Sequence, residues 1–410
     1  MVPIQKSNLG TRQGYQPYDV AVIGAGPVGL AIAGELARLG FDVTVLDRRM
    51  PLAQDENLRR QLLVARPGDL ANLVCLGVDV RDPSVVSPLT VLTRHDLLNG
   101  HTTTATAGSH LIDLEPSQSL FESVHQAPVA LVPIGRLQQA LLSRAIDLGV
   151  DVRYQCQVTR IKRHARHASL HVGEGKPVMA KVAIVATGAA RSLIDPSDIS
   201  STLRQTSASR SQQPMCRNMI GGVFESNAPT GQWTRAEIPL ESYGTTLRCT
   251  MLATGAETAA GTALLVDAPV DVDATPRMLR RYFELAAEEF DLEYEAFATR
   301  PRVFPTAVTE VRRRVIAGDN RAPILVAGDA AQTGHVFTGL NCMVNLALAL
   351  ELCRLLAPAR KALVAGKYGS PKLTEALDRY QLQSETGATR LHEASRPHFA
   401  AHNPGAWALP

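Results

Sequence analysis

The chain has 410 residues, of which 45% are apolar and 20% charged, with a formal net charge of +3 at pH 7. These values suit a globular protein of two or three domains; they exclude a disordered tail, a collagen-like chain and a small disulfide scaffold, and a charge so near neutral argues against nucleic acid as a partner. The cysteines (Cys75, Cys156, Cys216, Cys249, Cys342, Cys353) form no C-x-x-C pair, which predicts reduced thiols and a cytoplasmic protein.

Residues 1–17 are polar, lack the apolar core of a signal peptide and read as a flexible arm. Residues 19–23 (DVAVI) predict a continuous apolar strand, residues 28–39 a helix ending at Gly40, and residues 42–46 (DVTVL) a second strand. This β-α-β unit is long enough for a right-handed parallel crossover. Residues 51–66 read as a charged loop, and a helix is expected from Pro67 to about Leu76. Weak alternation over 85–128 suggests strands and loops of a second layer. Residues 136–148 predict a helix with Leu137, Ala140, Leu141 and Leu148 on one side. A strand at 151–154, a hairpin near 156–172 and an apolar strand at 181–186 follow. The Arg163–His167 run reads as the solvated tip of that hairpin, and Gly173 to Gly175 as another turn.

Residues 205–300 become β-rich, with alternating segments at 236–239 and 246–251 and a helix near 277–289. The α/β character returns with a strand at 323–327, a Gly-bearing loop, a long helix at 339–357 and a C-terminal helix near 372–394. The 339–357 segment is long enough for a membrane, but Asn341, Asn345, Glu351 and Arg354 interrupt it, so a buried helix and no integral membrane segment are expected. The expected fold class is α/β. A discontinuous Rossmann-like nucleotide-binding domain with C-terminal helices would comprise 18–84, 129–204 and 301–410. A β-sheet substrate domain would comprise the insertions 85–128 and 205–300. Clefts between such domains commonly hold small molecules.

The strongest motif is Gly24-Ala25-Gly26-Pro27-Val28-Gly29, a G-x-G-x-x-G between a strand and a helix. Gly24 suits the tight turn, Gly26 the approach of a pyrophosphate, and Gly29 close packing of helix on strand. The helix start, at Pro27 and Val28, offers free N–H groups and partial positive charge. Asp47 ends the second strand, where a carboxylate can accept from ribose hydroxyls. Near the other end, PILVAGDAAQTGHVFTGLN carries Gly328 and Asp329 at a strand end and a helix start at Gly339, Leu340 and Asn341. Two polyol-binding acids and two anion cradles far apart in sequence suit an extended dinucleotide better than NAD on a simple Rossmann unit.

These segments resemble the class A flavoprotein monooxygenases, the para-hydroxybenzoate hydroxylase-like group. The resemblance rests on VAVIGAGPVGLAIAGELARLGFDVTVLDRR and ILVAGDAAQTGHVFTGLN, with support from Arg60 and RQLLVARPGDLANLVCLGV, from VPIGRLQQALLSRAIDLGVDV, and from the strand before ATGAARS. It covers about half the chain and implies an FAD cofactor. Gly24, Gly26 and Gly29 would line the pyrophosphate, Asp47 the adenosine ribose and Arg48 the adenosine. Arg60 would reach the flavin phosphate region, and the Val158 backbone the adenine. Asp329 would bind the ribityl chain, with Gly339 to Asn341 at the pyrimidine edge of the flavin.

Four positions depart from the family pattern. Gly188 and Ala189 stand where the family often has Asp-Gly, Gln332 replaces its His, Val336 its Pro and Ile134 an Arg. The matched segments therefore imply FAD binding, while NADPH or NADH as reductant is not implied to the same degree. In that family the oxygen is transferred by a flavin C4a-hydroperoxide, while the protein orients substrate and excludes water. His335, in the loop that should border the flavin, is the one candidate catalytic side chain, because imidazole titrates near neutrality. No metal-ligand spacing occurs among the histidines. The expected function is hydroxylation or epoxidation of an apolar, medium-to-large secondary metabolite. The alternative is a non-oxygenating FAD enzyme of natural-product biosynthesis, either a non-redox cyclase or isomerase or a reductase. Oligomeric state is open.

Overall fold

A computed structural model describes residues 16–51, 61–96, 101–106, 121, 126–190, 192–194, 199–200, 216–224, 231–240, 245–253, 262–267, 276–290 and 297–399. The chain begins with β1 (Tyr18–Ile23), α1 (Pro27–Arg38), β2 (Val43–Leu46), β3 (Leu62–Ala65) and α2 (Pro67–Cys75). It continues through β4 (Ser87–Pro88), β5 (Val91–Asp96), β6 (His101–Thr106), β7 (Ala130–Pro133), α3 (Ile134–Asp147) and β8 (Asp151–Arg153). Next come β9 (Val158–Arg163), β10 (Ala168–Val172), β11 (Val178–Val185), β12 (Ile199–Ser200), β13 (Cys216–Phe224), β14 (Gln232–Leu240), β15 (Thr245–Ala253) and β16 (Thr262–Asp267). The remainder is α4 (Pro276–Glu289), β17 (Phe297–Ala307), β18 (Thr309–Val311), β19 (Val315–Ile316), β20 (Ile324–Val326), β21 (Gln332–Thr333), α5 (Asn341–Leu356), α6 (Arg360–Val364) and α7 (Pro371–Phe399).

The larger sheet has eight strands, ordered β19-β20-β11-β1-β2-β8 with β10 and β9 branching from β11. Strands β20, β11, β1, β2 and β8 run parallel, so their C-terminal ends share one edge. The side chains of β1, β2, β20 and the second half of β11 are mostly apolar and buried on both faces, as a covered parallel sheet requires, while the edge strand β8 is half-buried. Helices α1, α2, α3, α5 and part of α7 supply one core with Val20, Val22, Val43 and Val45. Helices α1 and α3 approach closely there: a Cβ on Gly34 of α1 would already lie in van der Waals contact, 3.7 Å from Ala145 of α3. The helix expected at 339–357 is α5, and its apolar length is buried against this core, including Leu346, Leu350 and Leu352. A helical stretch over 341–364 is apolar and long enough to cross a membrane, but most of it is buried within the protein.

A second, seven-stranded sheet is ordered β17-β13-β16-β15-β14-β5-β6. Strand alternation splits its residues. Ala236, Leu247, Cys249, Met251, Leu264 and Val266 face α4 and form a core with Tyr282 and Phe283. The opposite face meets the first lobe: Leu92, Trp233 and Leu252 pack on Leu62, Val64 and Leu131 of β3 and β7. The sequence reading differs in two places. Leu62 to Ala65, expected as loop, form β3, because pairing with β7 satisfies their backbone. Strand β17 crosses the expected boundary at 300 and pairs along β13 as far as Ala307.

Arg314 is 1% exposed and donates to Glu310 at 3.1 Å. Burial pushes its guanidinium pKa down and Glu310 opposes that shift. Its backbone N–H is held by Gln381 of α7 at 2.9 Å, so the pair also anchors that helix. Removing one partner of a buried pair leaves an uncompensated charge. Glu310→Ala is therefore expected to lower the unfolding free energy by about 3 kcal/mol in a urea titration.

Candidate dinucleotide site

The turn after β1 is closed by backbone. Gly24 has φ +114°, and a Cβ there would lie 2.3 Å from the Ala186 carbonyl oxygen. A Cβ on Gly29 would lie 2.0 Å from the Gly24 oxygen. Gly26 differs: a Cβ there would meet nothing within 4 Å, so open space stands before the start of α1. Pro27 begins the helix, where its missing N–H costs nothing. That opening has the free N–H groups and dipole that suit a pyrophosphate. The turn is held from behind. The Ala25 N–H donates to Asp47 at 2.6 Å, and the Gln138 side chain of α3 donates to the Ala25 carbonyl.

Asp47 is 4% exposed and also accepts from Arg49: from its backbone N–H at 2.8 Å, its Nε at 3.0 Å and its Nη2 at 2.7 Å. Burial pushes the carboxyl up, but the hydrogen bonds from Arg49 and Ala25 outweigh it and hold Asp47 below the usual carboxylate range. Arg48, expected at the adenosine, is exposed, and Arg49 faces the acid instead. The chain after β8 completes this end. The Asp47 N–H donates to the Arg153 carbonyl at 2.9 Å, and the Cys156 N–H to the Asp47 carbonyl at 2.8 Å. Val158 follows at the start of β9, buried. Burial, and then Asp47, push the neighbouring Tyr154 hydroxyl up to about 12. Arg60 lies outside the described residues.

The second turn follows β20. Gly328 has φ +68°, and a Cβ there would lie 3.2 Å from Val28 Cγ1, so this turn packs directly on the start of α1. Asp329 Oδ1 accepts from Asn341 Nδ2 at 3.0 Å and Asn345 Nδ2 at 3.2 Å, one helical turn apart on α5. Gly339 has φ +63° and lies against β3, with a Cβ position 3.1 Å from Val64 Cβ. Leu340 is buried beside Val344, Leu348 and Leu391 and fixes the entry to α5. Arg66, between β3 and α2, is 5% exposed and donates through Nη2 to the Thr338 carbonyl at 3.1 Å. Burial lowers its guanidinium pKa, opposed by Asp69.

Gly24, Asp47, Gly188, Gly328 and Asp329 thus lie along one sheet edge, because each follows a parallel strand. Gly188 sits in the turn after β11 with φ +68° and open space on its Cβ side. Gln332 is fully buried, accepts from Ser384 at 3.3 Å and packs against Gly387 of α7. His335 is also fully buried. Its Nδ1 accepts the Phe337 N–H at 3.2 Å, and its ring stacks on His398 at 5.0 Å. The imidazole caps the 336–338 turn and fills the space between that turn and α7. Burial, then Arg235 and Arg248, push His398 down to about 3, so it is neutral at physiological pH.

Arg49, Gln138, Asn345 and Arg66 were not among the residues expected from sequence. Arg49 and Asn345 had a local signal: Arg49 is two residues beyond the strand-end Asp47, and Asn345 is one helical turn beyond Asn341. Gln138 and Arg66 had none, since both act across elements far apart in the chain. The face of the seven-stranded sheet turned to this lobe is partly polar. It carries Arg235, Arg248, Thr250 and Asp267, all under 9% exposed, beside Trp233 and Leu252. Arg248 donates to the His398 carbonyl near the end of α7 at 3.4 Å.

The family model for FAD dependent oxidoreductases matches residues 19–61, the first β-α-β unit with the glycine turn and Asp47. Aklavinone-11 hydroxylase, solved with FAD and aklavinone, superposes with a TM-score of 0.67 at 20% identity over 96% of this chain and 71% of that one. The chain has the fold of the FAD-dependent monooxygenases. Two further monooxygenase structures agree. p-Nitrophenol 4-monooxygenase PnpA from Pseudomonas putida DLL-E4 gives 0.66 at 17% identity, over 95% of this chain and 91% of that one. PqsL from Pseudomonas aeruginosa, described as a probable FAD-dependent monooxygenase, gives 0.61 at 16% identity, over 93% and 95%. No curated protein sequence matches. The residues present fit FAD on their own geometry: the open space at Gly26 would admit a pyrophosphate, and Asp47 and Asp329 stand on the turns after β2 and β20.

Proposed function

We propose that this chain is an FAD-dependent monooxygenase that inserts one oxygen atom into a small organic molecule. The observation that carries the reading is the contact of Gly328 with Val28, which brings the glycine turn and the Gly-Asp turn to one sheet edge. The start of α1 would hold the pyrophosphate, and the Asp47–Arg49 pair the adenosine end. Asp329, oriented by Asn341 and Asn345, would accept from the ribityl hydroxyls. The turn at 339–341, at the start of α5, would meet the pyrimidine edge. Bound FAD supplies two-electron reduction and activation of dioxygen.

The chain's own part is to orient substrate and exclude water. Leu62, Val64 and Leu131 of the first lobe and Trp233 and Leu252 of the seven-stranded sheet form a buried apolar cluster between the lobes that would keep water from this side of the site. The substrate we assign is a medium-to-large molecule with an apolar body.

A second reading keeps FAD without oxygen transfer. It is favoured by Gln332, buried against Ser384 where the resemblance expects a His, and by Gly188-Ala189 in place of Asp-Gly. The visible spectrum of the purified protein and anaerobic titration with NADH and NADPH test both readings. Bleaching of bound flavin followed by substrate-linked oxygen uptake is the expected result. Product formation without oxygen would replace the first reading by the second.

A further inference from the structure

We propose that Arg66 is the cation against which the pyrimidine end of bound FAD rests, and that it sets how strongly the protein favours the reduced cofactor. The inference deepens the FAD reading and rests on it. Arg66 is 5% exposed, in the junction between β3 and α2. Its Nη2 is spent on the Thr338 carbonyl, while Nε and Nη1 make no hydrogen bond among the described residues. Asp69 lies 3.8 Å from Nη1 and accepts from the Arg66 backbone N–H at 3.0 Å, which ties the acid to the start of α2. The pair therefore has its negative end at α2 and its positive end at the 336–341 turn.

That turn belongs to the cofactor site by two independent contacts. Gly339 is pressed against Val64, two residues before Arg66. Asn341 is bonded to Asp329, the acid of the Gly-Asp turn. A guanidinium with two hydrogen-bond-free N groups in so dry a place is costly unless an acceptor completes it. The carbonyls of a pyrimidine-dione are such acceptors, and they gain negative charge on reduction. Two electrons and one proton, supplied in the test by dithionite and water, convert FAD to FADH−. The added charge resides on the pyrimidine ring, where a nearby fixed cation favours the reduced form.

The test compares FAD-loaded parent, Arg66→Met and Arg66→Lys by equilibration with a redox dye and by sulfite titration. Sulfite adds to the flavin and places the same negative charge on the pyrimidine ring without any turnover. Arg66→Met is expected to favour reduced flavin at least tenfold less, which for a two-electron couple is about 30 mV. It should also bind sulfite at least tenfold more weakly, while Arg66→Lys keeps parent values. A merely structural role would weaken both redox forms alike and leave the potential unchanged, and that result overturns the proposal. Should Arg66→Met not hold flavin, the double variant Arg66→Met, Asp69→Asn removes the orphaned acid as well and must still shift both readouts in the same direction, by less than tenfold because the lost Asp69 charge opposes the lost cation. A parent protein that takes up no FAD would defeat the functional reading itself, a different outcome from an unshifted potential.

Discussion

A Gly26→Val variant is expected to fold like the parent and to be colourless. The Cβ position of Gly26 faces open space, with no atom of the chain within 4 Å of it. It fills instead the volume that the pyrophosphate needs. A loss of FAD affinity of at least about 100-fold is expected, equivalent to about 2.7 kcal/mol, with thermal unfolding of the apo protein little changed. Gly29→Ala provides the contrast. Its Cβ would lie 2.0 Å from the Gly24 oxygen, so helix and strand must separate. That variant is expected to lose about 3 kcal/mol of stability as well as cofactor. Denaturant titration of the apo proteins and fluorescence titration with FAD separate the two effects. A Gly26→Val protein that binds FAD like the parent would show that the phosphate lies elsewhere.

Asp47→Ala should be nearly as damaging, for a different reason. The carboxylate satisfies the Ala25 N–H of the phosphate turn and the Arg49 guanidinium together. Removing it orphans a buried backbone donor and leaves Arg49 without its partner. Arg49 is about one-third exposed, so the loss falls below that of a fully buried pair, at about 2 kcal/mol. The effect should depend on pH in one direction. Asp47 is held below the usual carboxylate range in the folded protein, while the unfolded chain returns it to about 3.9. Its contribution is thus complete above about pH 4 and is lost as the pH falls through the folded value. The stability gap between parent and Asp47→Ala, measured by urea titration, is expected to be widest at neutral pH and to shrink on acidification below about pH 4. A gap that grows in acid would contradict the assigned hydrogen bonds.

Much of the architecture could be read from local pattern. The two-sided apolar runs at 19–23 and 181–186 mark strands covered on both faces, and they appear as β1 and β11 at the centre of the eight-stranded sheet. The glycine turn was legible because each of its glycines answers a separate steric demand, and Asp47 because it ends the next strand. Other features were hidden for physical reasons. β3 is four apolar residues whose identity as a strand depends on β7, about seventy positions later. Arg66 looks like a poor helix cap until Thr338 is brought beside it. His335 was expected in the loop bordering the flavin, but that α7 comes back over it through Ser395, which accepts the His335 N–H at 2.8 Å, depends on a helix some sixty positions later. Arg235 and Arg248 come from separate strands, and only the register of β14 on β15 places them on one surface.

The central claim is that the turn after β1 and the turn after β20 grip one flavin. Equilibrium titration with FAD, following flavin absorbance in the parent, Gly26→Val and Asp329→Ala proteins, tests it directly. One FAD per parent chain is expected, with a loss of at least tenfold in affinity from the change at either turn. A parent that stays colourless in saturating FAD, or an Asp329→Ala protein that binds as tightly as the parent, would contradict it.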